Sequence, residues 1–150
     1  MFYRFLSLSL LLILFSCKFS SEKETINKDG SISEETLQTP QLKASIERGG
    51  LIYADFCIQC HLGNGKGIPG SFPPLAQSDW LTEKRTESIH AVKYGQKGEI
   101  EVNGQTYNGY MAPMGLTDEE VADVMNYIMN SWGNQSTKMV TVKEVAAVEK

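Results

Sequence analysis

The chain is short of the side chains that protein-only metal sites and disulfide frameworks need: 150 residues carry three cysteines and two histidines. A closed zinc site takes four ligands. Cys57, Cys60 and His61 fall together, which leaves only the distant Cys17 and one other histidine, His90, to complete such a set. Clustered basic residues are also lacking. The formal net charge is −4, and removing Met1–Ser16, whose one charge is Arg4, takes it to −5. Nucleic acid is therefore not an expected partner. A spanning helix needs ~20 apolar residues. The N-terminal apolar stretch Phe5–Phe15 is about half that and is interrupted by Ser7 and Ser9. Gly63-Asn64-Gly65-Lys66-Gly67 lacks the Gly-Lys-[Ser/Thr] ending and the preceding strand of a phosphate cradle. What is present, 41% hydrophobic, 9% aromatic and 21% charged, is the make-up of one soluble globular domain.

The organising stretch is Cys57-Ile58-Gln59-Cys60-His61. Cys-x-x-Cys-His is the attachment sequence of c-type haem. Two thiols add across the vinyl groups, and the two residues between them let one helical turn span the vinyl spacing. His61, next to the second thioether, then lies beneath the iron as proximal ligand. A thioredoxin-like pair requires a strand-to-helix turn in a βαβ pattern, and none surrounds this stretch.

The N-terminus reads as a targeting segment, residues 1–16: Arg4 is the positive region and Phe5–Phe15 the apolar one. Leu14-Phe15-Ser16-Cys17 resembles a bacterial lipobox, with Cys17 as the acylated residue, and Cys17 is also the one cysteine that haem does not use. Residues 17–41, rich in Ser, Glu, Lys, Thr and Asn with Asp29-Gly30 and Thr39-Pro40 as breakers, read as a flexible tether. The expected location is the periplasmic side of the bacterial envelope, lipid-anchored to a membrane. Covalent haem attachment outside the cytoplasm fits that location.

From Leu42 the apolar spacing is helical and runs into the haem motif, with the Gly49-Gly50 pair expected to let another helix cross closely. Gly63–Ser71 reads as a loop, followed by rigid Phe72-Pro73-Pro74-Leu75, where a proline carbonyl is suited to accept the Nδ1–H of His61. Ser78-Asp79-Trp80-Leu81 offers a helix cap or propionate contacts. Thr82–Tyr94 reads as one helix closed by Gly95, with His90 on its partly exposed side. Asn103-Gly104 marks a hairpin over 99–107. Asn108–Gly115 reads as irregular and offers two thioethers, Met111 and Met114, as soft ligands. Thr117 with Glu120 forms a capping box, and Val121, Val124, Met125, Ile128, Met129 and Trp132 follow as one apolar stripe ended by Gly133-Asn134. Residues 136–150 are a polar tail whose valines are placed to dock on the domain.

Together these residues resemble class I c-type cytochromes of the small bacterial monohaem type, over about Leu42 to Asn134. The marks are Arg48-Gly49 with Tyr53, the haem motif, Phe72-Pro73-Pro74-Leu75, Tyr107-Asn108-Gly109-Tyr110-Met111 and Asn130-Ser131-Trp132-Gly133-Asn134. The resemblance implies a mainly α fold over residues 42–135, with N- and C-terminal helices crossing over one covalent haem c and Gly49 or Gly50 meeting Tyr127. By position it implies that Cys57 and Cys60 hold the haem and His61 is proximal. Pro74, beside Leu75, would orient His61, and Met111 would be axial, with Met114 as the alternative because of the extra residue in Met111-Ala112-Pro113-Met114.

The expected function is one-electron carriage between redox-protein donors and acceptors, with no catalytic residue and no small-molecule substrate. The rivals are a dedicated haem c subunit of an oxidoreductase or oxidase, and a haem enzyme or gas binder with an open distal site. Seven Lys/Arg against eleven Asp/Glu over residues 43–135 predict fastest association with a basic or weakly charged docking surface.

Overall fold

Helix α1 (Pro40–Phe56) begins where Thr39 turns its hydroxyl to accept from the Leu42 amide at 3.2 Å, with Pro40 in the first turn. Proline is pre-set for that position, since the amide it lacks would have no partner there. Thr39-Pro40, read from sequence as a breaker, thus starts the helix, and Pro40 and Gln41 lie inside it. The computed structural model describes residues 39–150. The signal segment, Cys17 and the tether to residue 38 lie outside the described residues. Among the described residues no helix is long and apolar enough to cross a membrane.

Leu42, Ser45, Gly49 and Tyr53 form the buried stripe of α1. It packs on α5 (Asp118–Ile128) more extensively than on any other helix. A short turn α2 (Ile58–His61) carries the haem motif straight off the end of α1: the Cys57 amide donates to Tyr53 O and the His61 amide to Cys57 O. The expected single helix over 82–94 is instead two, α3 (Asp79–Glu83) and α4 (Arg85–Tyr94), broken at Lys84. Lys84, at φ −119° and ψ 50°, leaves helical geometry, and its carbonyl accepts from both the amide and the hydroxyl of Ser88 at 2.8 Å. Gly95, at φ 87°, closes α4 as expected.

Strands β1 (Gln96–Val102) and β2 (Gln105–Met111) form the two-stranded antiparallel sheet, with Gln96 opposite Met111 and Val102 opposite Gln105. Asn103 and Gly104 both have positive φ, the tight turn their types favour. The hairpin runs further than residues 99–107, and Asn108–Met111, read from sequence as irregular, is strand. Its tip is fixed by exchange between Asp79 and Asn103: each amide donates to the other's side-chain oxygen, at 3.0 and 2.8 Å. The same Asp79 oxygen also accepts from the Trp80 amide at 2.7 Å.

The capping box at α5 is present in full. The helix stops at Ile128, four residues before the expected end, and Trp132 (φ 52°) lies beyond it. Side chains take the closing carbonyls: Asn130 Nδ2 bonds Asn126 O, Ser131 Oγ bonds Tyr127 O, and Asn134 Nδ2 bonds Ile128 O. The tail then returns over the domain through α6 (Val142–Ala146), burying Val140, Val145 and Val148 in the same core as Ile89, Val121, Met125 and Met129.

Candidate cofactor site

A cavity of about 390 Å³ lies between the α1–α2 junction, the 71–75 segment, α3, α4, the hairpin and α5. Cys57, Cys60 and His61 line one side of it. Ile100, Val102, Tyr107 and Met111 come from the hairpin, and Met114 from the turn that follows. Leu75, Leu81, Val92, Met125 and Ile128 complete an apolar lining in which no Lys, Arg, Asp or Glu takes part. The residues that both line the cavity and are exposed, Ser71, Gly109, Tyr110 and Ala112, mark its mouth.

Local structure explains the placement of each donor. Cys57 sits at the joint of α1 and α2 and Cys60 one turn later, so both thiols reach the same cavity. Burial pushes the Cys57 thiol up to about 11, with the Cys60 thiol adding to the shift. His61 is buried, and its Nδ1 lies 3.0 Å from Pro73 O. An Nδ1–H donated to that carbonyl leaves the Nε2 lone pair free. Burial lowers the imidazole's pKa, with the Pro73 bond opposing, so the ring is held neutral as a ligand must be. The expected carbonyl partner is thus Pro73, one residue before Pro74. Pro74 and Leu75 line the cavity instead, because the Leu75 and Ala76 amides are turned to Gly65 O at 2.7 and 2.8 Å.

Met111 is the last residue of β2 and Met114 lies three residues further, and both line the cavity. His90 does not. Its ring rests edge-on against Tyr94 and faces an outer groove beside Trp80. Among the described residues no group of three or more His, Cys, Asp and Glu side chains is disposed to hold a metal ion by itself. Two thiols, one neutral imidazole with a free nitrogen and two thioethers around an apolar space fit a covalently held haem.

Two features stand beyond the residues singled out as ligands. Tyr53 donates its hydroxyl to Leu62 O at 2.7 Å, and it stacks with Tyr127 and Trp132 behind the cysteines at centroid distances of 5.3 and 4.9 Å. The Trp132 indole donates to Gly63 O at 3.0 Å, tying the end of the domain to the loop after His61. The i, i+4 spacing of Gly49 and Tyr53 was a signal for the first; nothing local signalled the second.

A family model described as "Cytochrome c" matches residues 46–132. The chain is 43% identical over 106 residues to cytochrome c-552 of Thermus thermophilus, covering 65% of this chain and 80% of that one. It is 36% identical over 109 residues to the gluconate 2-dehydrogenase cytochrome c subunit of Pantoea cypripedii, covering 69% of this chain and 24% of that one. With the alcohol dehydrogenase (quinone) cytochrome c subunit of Gluconacetobacter polyoxogenes it shares 31% over 97 residues, 62% of this chain and 20% of the other.

Proposed function

This chain belongs to the cytochrome c family, and on that premise we propose that Cys57 and Cys60 would hold its haem c as thioethers and that His61 and Met111 would be the protein ligands of its iron. When bound, the haem iron supplies a one-electron ferric/ferrous couple. The chain's residues do the rest. His61, oriented by Pro73 O, presents Nε2 from the α2 wall, and Met111 presents its thioether from the hairpin wall. The apolar lining excludes water, and a thioether opposite an imidazole raises the potential relative to two nitrogen ligands. With His61 and Met111 both as ligands the iron would keep no position for a substrate, and the protein would act as an electron carrier.

The observation that carries this reading is the convergence of both thiols, a Pro73-oriented imidazole and Met111 on one uncharged cavity. The ferric holoprotein is expected to show the far-red methionine–iron charge-transfer band, and the ferrous form to be inert to CO. Rapid CO binding would show an open distal side and defeat it.

The anchor and the location belong to the same proposal: acylation at Cys17 tethers the domain to a membrane on the periplasmic side of a bacterial envelope. Cys17→Ser is expected to release the protein from membranes with its haem spectrum unchanged; retention of the mutant on membranes would refute the lipobox. A second reading, a fixed subunit of a dehydrogenase or oxidase, is favoured by the likeness to cytochrome c subunits. Co-purification from mild detergent extracts of native membranes decides between a fixed subunit and a free shuttle.

A further inference from the structure

The loop after His61 carries four glycines, and a side chain at each would meet something different. A Cβ on Gly63 would touch Ile58 Cδ1 at an ordinary 3.7 Å, one on Gly65 would run into the Trp132 ring, and one on Gly70 would stand in open space. Of the four, only Gly67 has backbone as its nearest neighbours. Its Cβ would lie 2.5 Å from Pro73 O and 2.8 Å from Pro73 C, and nearer still to Phe72 O. Pro73 O is the carbonyl that lies 3.0 Å from His61 Nδ1. Gly67 is buried, at φ 60°, and its amide donates to His61 O at 3.1 Å. It therefore meets His61 at both ends, holding the main-chain carbonyl and lying against the acceptor of the imidazole.

The segment that carries this acceptor is pinned on both sides. Just before Pro73, the Ile68 and Phe72 amides each donate to the other's carbonyl, at 2.9 and 2.8 Å. Just after it, the Leu75 and Ala76 amides are held on Gly65 O. Gly67 sits between these two anchors in sequence and has no slack of its own, because a recoil of its backbone would pull on His61 O.

We infer that Gly67 is a positioning residue for His61: by presenting no side chain to Pro73 O, it lets that carbonyl accept from Nδ1 and so sets the midpoint potential of the carrier. This rests on the reading of His61 as an iron ligand and adds the residue that places its hydrogen-bond partner. Bringing the Pro73 O contact from 2.5 Å to the 3.0 Å below which real Cβ contacts essentially never fall requires a shift of at least 0.5 Å. Taken towards His61, that shift would shorten the Nδ1–O distance to about 2.5 Å, under the roughly 2.7–3.2 Å that such bonds span. The carbonyl must turn aside instead, and the bond is bent or lost. An imidazole that donates to a carbonyl is a more basic ligand, and a more basic ligand favours ferric over ferrous iron. Losing the bond moves the equilibrium towards ferrous.

The test compares full-length holoproteins carrying Gly67→Ala, Gly67→Asn and Gly70→Ala. Asparagine tolerates positive φ better than alanine, so Gly67→Asn keeps the same Cβ obstacle with less backbone strain and serves where the alanine variant does not fold. Gly70→Ala, at φ 75° with nothing near it, adds the strain without the obstacle. Both Gly67 variants are expected to shift the ferric/ferrous equilibrium about tenfold towards ferrous, a rise of about 59 mV in midpoint potential. In NMR of the ferrous protein, exchange of the His61 Nδ1 proton with water is expected to quicken about tenfold. Gly70→Ala is expected to lose stability and keep both readouts at the wild-type values.

Wild-type potential and proton exchange in the Gly67 variants would overturn the proposal, and so would a fall in potential, which would mean a carbonyl pressed closer. The same shift in Gly70→Ala would assign it to strain in the loop and overturn it as well. Loss of the far-red methionine band in the Gly67 variants would place the change on the Met111 side, again against the proposal. Failure of the ligation reading has a different signature: no reversible one-electron couple in a mediated titration, or rapid CO binding, in the unsubstituted protein.

Discussion

Replacing Gly49 by alanine tests the central packing contact of the fold. A Cβ at this position would lie 2.5 Å from the Asp123 carbonyl carbon and 2.8 Å from Tyr127 Cβ, and nearer still to the Asp123 carbonyl oxygen. Two of these atoms are helical backbone, which cannot rotate aside, so α1 and α5 must move apart. Asp123 is also held from α1 by its side chain. Ser45 Oγ donates to it at 2.6 Å, and Arg48 bonds both carboxylate oxygens at 2.6 and 2.7 Å. Separation therefore strains the contacts of the buried Asp123 carboxylate with Ser45 and the half-exposed Arg48, as well as loosening apolar contacts.

Inserting a methyl into a packed core costs about 1–3 kcal/mol, and a backbone obstacle places this one at the upper end. Alanine's advantage over glycine within a helix returns about 1 kcal/mol. Adding the strained network, the expected net loss is about 2–3 kcal/mol, or roughly 10–20 °C in Tm for a domain of this size. Gly50 is the internal control. Its Cβ would meet only the Tyr127 ring edge, at 3.3 and 3.4 Å, and a ring can tilt. Gly50→Ala is expected to stay within about 1 kcal/mol of wild type. Guanidinium unfolding followed by far-UV circular dichroism and haem absorbance measures both. Equal stability of the two variants, or greater damage from Gly50→Ala, would refute the close-crossing argument.

Ligation gives a second outcome: Met111→Ala is expected to abolish the methionine charge-transfer band and lower the midpoint potential, and Met114→Ala to do neither. Potentiometry and near-infrared absorption check it, and the reverse pattern would move the ligand to Met114. Leu62, at φ 62° and ψ 161°, occupies a region that suits glycine. Relief of about 1–3 kcal/mol of strain against about 0.5–1 kcal/mol of glycine entropy predicts that Leu62→Gly stabilises the protein. A drop in denaturation midpoint would contradict this. The Arg85 hydrogen bond holds the Glu144 carboxyl below its ordinary value. Its stabilising effect is therefore complete above about pH 4.3, the unfolded value, and is lost as pH falls through the lower folded value. Hydrogen exchange over residues 138–148 should rise in that acid window, and Glu144→Gln should give fast exchange at neutral pH as well.

The parts of the site legible in the sequence are those whose physics is local. Cys57-Ile58-Gln59-Cys60-His61 is contiguous, the Thr117–Glu120 box spans one turn, and Asn103-Gly104 selects its own backbone conformation. The resemblance put the orienting proline at Pro74, whereas the carbonyl that faces His61 Nδ1 is that of Pro73, and the Leu75 and Ala76 amides that follow are turned to Gly65 O. The break at Lys84 and the early end of α5 were hidden too. Helical spacing persists through both: at Lys84 the backbone leaves helical geometry (φ −119°, ψ 50°), and after Ile128 the Asn130 and Ser131 side chains take backbone carbonyls.

The tail shows what an apolar stripe alone cannot convey. Counting Val121 to Ile128 as one inward face leaves Asp123 and Asn126 on the outside, yet both are buried. Asp123 is covered by α1, and Asn126 by the returning tail. The Asn126 amide acts as a stretch of backbone for that tail, donating to Val140 O at 2.9 Å and accepting from the Val140 amide at 2.7 Å, while its second amide hydrogen reaches Ser45 Oγ. Among the described residues no buried side-chain nitrogen or oxygen is left without a partner, so burying these polar groups carries no unmet desolvation cost. A helix with polar groups among its apolar positions is thus wrapped on more than one side. The second cover was written downstream in Val140, Val145 and Val148, with Lys93 and Tyr94 bonding the carbonyls of Val145 and Val148. Of the valines in this mostly polar tail, Val140, Val145 and Val148 are buried against the domain and Val142 is exposed.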